Sequence, residues 1–222
     1  GARYALILGE DEIADGIVTV RDMVSGEQAP MSRKGVPQGV FDLLFENDTA
    51  KHLGDDTILL SELGVDMSQV SFTTPGTTYG IPPAGSLGWA LGASLGAKLA
   101  APEKTVICTL GDGSYIFGSG TAAHIVSEAQ NIPVLFIVWN NGIWNAVKSS
   151  AKNMNPDGHA AKTDTWALTT LNQNFKYEMI CQASGGYGER VDDPAEVPAA
   201  IKRGLHAVQV EGRQALLNII GA

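Results

Sequence analysis

Apolar residues in this chain gather in short dense runs, separated by glycine-rich turns and by stretches with helical spacing. Thr105–Leu110 (TVICTL) and Val134–Trp139 (VLFIVW) are apolar and rich in β-branched and aromatic residues, and too short for a helix. Runs of that kind predict strands buried on both faces. Asp56–Ser61 (DTILLS), Gly186–Val191 (GYGERV) and Gln214–Ile220 (QALLNII) predict three more strands. Helices are predicted over Gly85–Ala101, Thr121–Gln130, Asn174–Ala183 and from Asp193-Pro194 to Ala207, where Asp193 is a plausible cap. Strands alternating with helices predict an α/β fold with a doubly wound, mainly parallel sheet and helices on both faces.

Other stretches carry less pattern. Tyr4–Gly9 and Gly16–Met23 predict strands around Glu10–Asp15, an acidic turn or short helix, and Ser25-Gly26-Glu27 is a second turn. Two strands cannot bury a core by themselves, so the block either joins an edge of the main sheet or stands apart. Ala29–Gly39 holds Pro30, Pro37 and the pair Arg33-Lys34 and reads as a linker, and Val40–Leu53 predicts an amphipathic helix. Val70–Pro83 reads as a long irregular loop of the kind that is usually functional, and Asn145–Thr165 as a polar loop. The domain division expected from this is 1–28, a linker and helix over 29–51, and an α/β domain over 52–222.

Composition narrows the function. A formal net charge of −9 and no cluster of basic residues argue against nucleic acid as a partner. The most apolar stretch, Leu87–Ala101, is interrupted by Lys98 and is too short to cross a bilayer, so no membrane partner and no signal peptide are expected. Cys108 and Cys181 lack metal-ligand spacing, which fits reduced thiols and a cytoplasmic protein.

The chemistry concentrates at two strand ends. The first run delivers the chain into Gly111-Asp112-Gly113-Ser114, and the second into Asn140-Asn141-Gly142. In a parallel sheet these ends share the edge where doubly wound folds bind ligands. Asp112 offers a charged oxygen and Asn141 a neutral one, the donors that Mg²⁺ takes when it shares its shell with phosphate. The Ile143 carbonyl completes the protein's part. Free amides around Gly113, Ser114 and Gly142–Trp144 suit phosphate oxygens. His159 is a candidate acid/base, or a solvated loop histidine.

The GDGS segment followed by NNG resembles the signature of thiamine-diphosphate enzymes. Leu59–Gly64 (LLSELG), Gly85–Ala100 (GSLGWALGASLGAKLA) and the closing QALLNII run extend the likeness. Residues 52–222 resemble the C-terminal, diphosphate-binding domain of the acetolactate synthase/benzoylformate decarboxylase group. That resemblance implies thiamine diphosphate and Mg²⁺ as cofactors and a 2-keto acid substrate, decarboxylated or joined to a second carbonyl. It places Gly64 on the cofactor cleft, the Gly85 carbonyl at the aminopyrimidine with Ser86 beside it, and Leu87 under the bent cofactor. Leu87 and Gly85 equally suit a core leucine and a glycine at a helix start.

The resemblance also implies a missing part. The activating glutamate belongs to a separate pyrimidine-binding domain, for which residues 1–50 are too short, so no catalytic residue is expected in this chain. A pyrimidine-binding domain or subunit is the expected partner, in a homo- or hetero-oligomer. A non-catalytic binding or scaffold protein that keeps the fold is the alternative. The runs Leu8–Glu12 (LGEDE), Thr19–Asp22 (TVRD) and Gly26–Gln28 (GEQ) resemble the end of the anticodon-binding domain of histidyl-tRNA synthetase.

Overall fold

The structure is a computed structural model that describes residues 4–7, 17–22, 28–32, 56–63, 74–81 and 86–221. The helix expected over Val40–Leu53 lies outside the described residues, as do Gly64 and Gly85.

Two separate sheets form. The first comprises β1 (Tyr4–Ile7), β2 (Ile17–Asp22) and β3 (Gln28–Ser32) in an antiparallel meander, with Leu6 opposite Val20 and Val20 opposite Ala29. One open alternative is decided here and one expectation changes. The described strands of this block pair with one another and not with an edge of the main sheet, and a third strand occupies the start of the expected linker. Pro30 masked it, because a strand proline is tolerated at a sheet edge, where β3 lies. Removal of residues 1–32 is expected to leave one cooperative melt at an unchanged midpoint, because the main sheet is built wholly from later residues. Loss of cooperativity in calorimetry would show that the meander completes the larger core.

The second sheet runs β5 (Thr78–Tyr79), β4 (Thr57–Ser61), β6 (Thr105–Gly111), β7 (Leu135–Asn140), β9 (Ala215–Ile220), β8 (Tyr187–Val191), and every pairing is parallel. Its helices are α1 (Trp89–Ala100), α2 (Asp112–Phe117), α3 (Gly120–Ala129), α4 (Asn145–Met154), α5 (His159–Thr163), α6 (Tyr177–Ala183) and α7 (Val197–Gln209). Successive strand residues face opposite sides, so strands covered on both sides are apolar at most positions. Leu59, Ile107, Leu135, Ile137 and Leu217 pack beneath α7 through Val197, Ile201 and Leu205. Their neighbours Ile58, Leu60, Val106, Cys108, Phe136 and Leu216 pack on the other face against α1, α2, α3 and α6. Among the described residues no helix is long and apolar enough to cross a membrane.

Three further differences from the sequence reading have local causes. The polar segment after Trp144 forms α4 and α5 rather than a loop, and neither helix buries a residue. The helix expected from Gly85 starts only at Trp89. Asp193 does act as a cap, accepting from the Ala195 amide at 2.9 Å, but of a 3₁₀ turn (Pro194–Glu196) that leads into α7.

Candidate functional site

Parallel pairing carries the C-terminal ends of β4, β6 and β7 to one edge, with Ser61 opposite Thr109 and Gly111 opposite Trp139. From β4 the chain goes outward to β5 and then returns across β4 to β6, so the order reverses between β4 and β6. Such a reversal opens a crevice above the strand ends. Leu63 reaches over this crevice: its Cδ1 lies 3.3 Å from where a Cβ on Gly111 would stand.

Asp112 is the first residue of α2 and is only 2 % exposed. Its Oδ2 accepts from the Gly142 amide at 2.9 Å, which ties the β6 end to the β7 end. Burial pushes its carboxyl above the usual carboxylate range, while the amides of Gly113, Gly142 and Asn141 pull it back. No basic side chain among the described residues is ion-paired with it. A buried, unneutralised carboxylate is costly unless a cation or protons balance it. Next to it the Ser114 hydroxyl is buried without a hydrogen-bond partner. Gly113 admits the Trp144 ring, whose Cε3 would be 2.7 Å from a Cβ there. Among the described residues His, Cys, Asp and Glu side chains do not gather in threes. A cation at Asp112 would therefore draw its other oxygens from amides, carbonyls and its ligand, as Mg²⁺ does beside phosphate. The residues present fit that group.

The two asparagines divide the work. Asn140 is fully buried and structural: its Nδ2 donates to Asn218 Oδ1 and to the Gln173 carbonyl, both at 3.1 Å, and its Oδ1 accepts from the Gly142 amide at 3.2 Å. Asn218 in turn donates to Glu178 Oε2 at 2.8 Å. Asn141 is exposed, and its Oδ1 accepts from the Ile143 amide at 2.9 Å, leaving a second lone pair on that oxygen.

The expectation of free amides over Gly142–Trp144 is corrected. Gly142 donates to Asp112 and Asn140, Ile143 to Asn141, and Trp144 to the Thr169 carbonyl at 2.7 Å. For Trp144 the cause is a short antiparallel contact, Ile143 with Thr170, that sequence spacing does not announce, whereas nearby side-chain oxygens take the Gly142 and Ile143 amides. Trp144 therefore reaches the site edge through its half-buried ring rather than its amide. His159 begins α5 and is exposed. Ser86 is exposed and Leu87 half-buried, at the corner before α1. That corner meets the end of α2, since a Cβ on Gly88 would lie 2.4 Å from Gly118 Cα.

Glu62 was not singled out from the sequence. It is 4 % exposed, and its Oε1 and Oε2 accept from the Gly88 and Ala90 amides at 2.7 and 3.3 Å. The two partners lie 26 and 28 residues along the chain, beyond any local capping pattern. A carboxylate directly after a buried apolar strand was the available signal.

Comparison with known proteins places this edge in a family. The family "Thiamine pyrophosphate enzyme, C-terminal TPP binding domain" matches residues 62–218, and the family "Anticodon binding domain" matches residues 1–41. A probable acetolactate synthase of Mycobacterium bovis is 30% identical over 146 residues, covering 66% of this chain and 24% of the relative. A benzoylformate decarboxylase of Pseudomonas aeruginosa is 40% identical over 143 residues, covering 63% of this chain and 24% of that protein. The solved thiamine diphosphate-dependent 4-hydroxybenzoylformate decarboxylase of Rhodococcus jostii RHA1 superposes with a TM-score of 0.64 at 26% identity, over 82% of this chain and 31% of its own. The chain thus spans about a quarter of the length of the curated relatives it matches. With the match running from Glu62 at the crevice to Asn218 beneath the NNG loop, the chain belongs to the family of thiamine pyrophosphate enzymes, in their C-terminal TPP-binding domain.

Proposed function

We propose that this chain holds Mg²⁺ and the diphosphate of thiamine diphosphate for an enzyme acting on 2-keto acids, by decarboxylation or by acetolactate-synthase-like carboligation. The observation that supports it best is the buried, unneutralised Asp112 carboxylate one strand from exposed Asn141. Asp112 and Asn141 would hold the metal through side-chain oxygens, with the Ile143 carbonyl beside them. Gly111, Gly113 and Ser114 would admit the diphosphate, Trp144 would wall it, and Gly64, Gly85, Ser86 and Leu87 would meet the rest of the cofactor. Bound thiamine diphosphate supplies the electron sink for cleavage next to a ketone.

The protein's own contribution is binding, orientation and exclusion of water. The Gly142 amide, anchored through Asn140 and Gln173, keeps the Asp112 carboxylate facing the NNG loop. No described side chain is poised to move a proton on the aminopyrimidine. Glu62, the other buried carboxylate at the crevice among the described residues, has its two oxygens held by the Gly88 and Ala90 amides. We assign activation to a glutamate on a pyrimidine-binding domain from another chain or segment; where another chain supplies it, a homo- or hetero-oligomer is the working form. The cofactor domain would extend over residues 52–222. Two buried free cysteines fit a cytoplasmic setting.

Thermal melting tests this reading. Mg²⁺ and thiamine diphosphate together, at a hundred times the dissociation constant, are expected to raise the midpoint by about 5–10 °C. A midpoint indifferent to the pair would favour a scaffold that keeps the fold without the cofactor.

A further inference from the structure

We infer that Glu62 is a positioning residue that locks the turn carrying Leu87, and so sets the shape of the cofactor pocket; the inference rests on the proposed cofactor reading. The chain enters α1 through Ser86-Leu87-Gly88-Trp89, closed by the Trp89 amide donating to the Ser86 carbonyl at 3.3 Å. Gly88 has φ 79° and ψ 5°, the values of the third residue of a type II turn. Leu87 is then the second residue, at the corner.

Type I and type II turns differ mainly in the orientation of the central peptide, here the one joining Leu87 to Gly88. The N–H of that peptide is the Gly88 amide, and Glu62 Oε1 takes it at 2.7 Å. Oε2 takes the Ala90 amide at 3.3 Å, so one buried carboxylate grips the turn and the first turn of α1 together. An anion at the start of a helix is also favoured by the helix dipole.

The other side of the turn is equally confined. A Cβ on Gly88 would stand 2.4 Å from Gly118 Cα and 2.9 Å from the Ser114 carbonyl oxygen. The turn is thus wedged between Glu62, at the end of β4, and the C-terminal end of α2, whose N-terminal end carries Asp112. Glu62 thereby relates the Leu87 corner to the metal end of the same pocket. Without Glu62 the central peptide is free to flip, the Leu87 carbonyl turns over, and the corner loses its fixed relation to the crevice. The diphosphate end, built on β6, β7 and α2, keeps its own anchors.

The test compares two ligands on the full chain, thiamine diphosphate with Mg²⁺ and inorganic pyrophosphate with Mg²⁺, together with amide hydrogen exchange on the ligand-free protein. Glu62→Ala is expected to weaken thiamine diphosphate by about 10–100-fold while pyrophosphate changes by less than about twofold, as for loss of an outer support to a ligand group. Glu62→Gln is expected to recover part of the loss, because its amide oxygen still accepts one N–H. Exchange at Gly88 and Ala90 should quicken in Glu62→Ala and much less in Glu62→Gln. Equal weakening of both ligands would overturn the inference in favour of a general structural role. Unchanged thiamine diphosphate affinity, or unchanged exchange at Gly88, would overturn it outright. If Glu62→Ala does not fold, the ratio of the two affinities in Glu62→Gln decides. Failure of the unaltered chain to bind either ligand would sink the cofactor reading, while the exchange data still decide whether Glu62 locks the turn.

Discussion

Asp112→Asn is expected to melt at a higher temperature than the unaltered chain without metal, and to lose the Mg²⁺-dependent gain altogether. Burial raises the Asp112 carboxyl above its unfolded value, so the group is harder to ionise in the fold than in the open chain. At pH above the raised folded value the group is ionised in both states, and the fold bears the desolvation cost. As pH falls through the raised folded value, the folded state takes up a proton first and the cost is relieved. The unaltered ligand-free chain should therefore gain stability from this group on acidification, and Asp112→Asn should not. Asparagine keeps an oxygen for the Gly142 amide, which separates the charge from the hydrogen bond. Affinity for thiamine diphosphate with Mg²⁺ should fall by more than about 100-fold, since loss of even an outer partner of a metal ligand costs 10–100-fold. Melting curves across pH, with and without the pair, check both parts. A variant that melts lower without metal, or binds the pair as before, would remove Asp112 from the metal site.

The second expected result is that the purified chain releases no CO₂ from pyruvate or benzoylformate, even when loaded with cofactor. Loss of a positioned proton-transfer group typically costs about 10²–10⁴-fold in rate. Among the described residues each acid near the crevice is already committed: Glu62 to the Gly88 and Ala90 amides, and Asp112 to the Gly142 amide and the proposed metal. His159 is exposed. Without a partner domain the pocket also stays open to water, which weakens the electrostatic stabilisation of developing charge. Addition of a pyrimidine-binding domain from a relative should restore turnover in a CO₂-release assay. Vigorous turnover by the chain alone would place an activating acid within these residues.

Much of the fold was legible because strands covered on both faces leave few polar positions. TVICTL, VLFIVW and the closing run each became strands of the main sheet, shifted by a residue or less at either end. Helix starts were less legible. Gly85–Gly88 carries the composition of a helix opening, but the type II turn takes residues 86–89 and delays α1 to Trp89. Val147, Ala151 and Met154 share one helical stripe, yet α4 buries none of them, so polarity outweighed periodicity in that segment.

At the site, local motifs were readable and long-range ones were not. Asp112 and Asn141 stood out because each directly follows a buried strand. The Trp144 amide was misjudged because its partner, Thr169, is 25 residues away across an irregular segment. Glu62 was missed for the same reason. Its role exists only once β4 and α1 are packed together.

Titration calorimetry of thiamine diphosphate into the full chain, in Mg²⁺ and again in excess chelator, tests the central claim most directly. The expected result is one cofactor per chain in Mg²⁺, with binding lost in chelator because Asp112 is then an uncompensated buried charge facing the diphosphate. No heat in Mg²⁺, or the same affinity in chelator, would contradict a magnesium-bridged diphosphate site at Asp112 and Asn141.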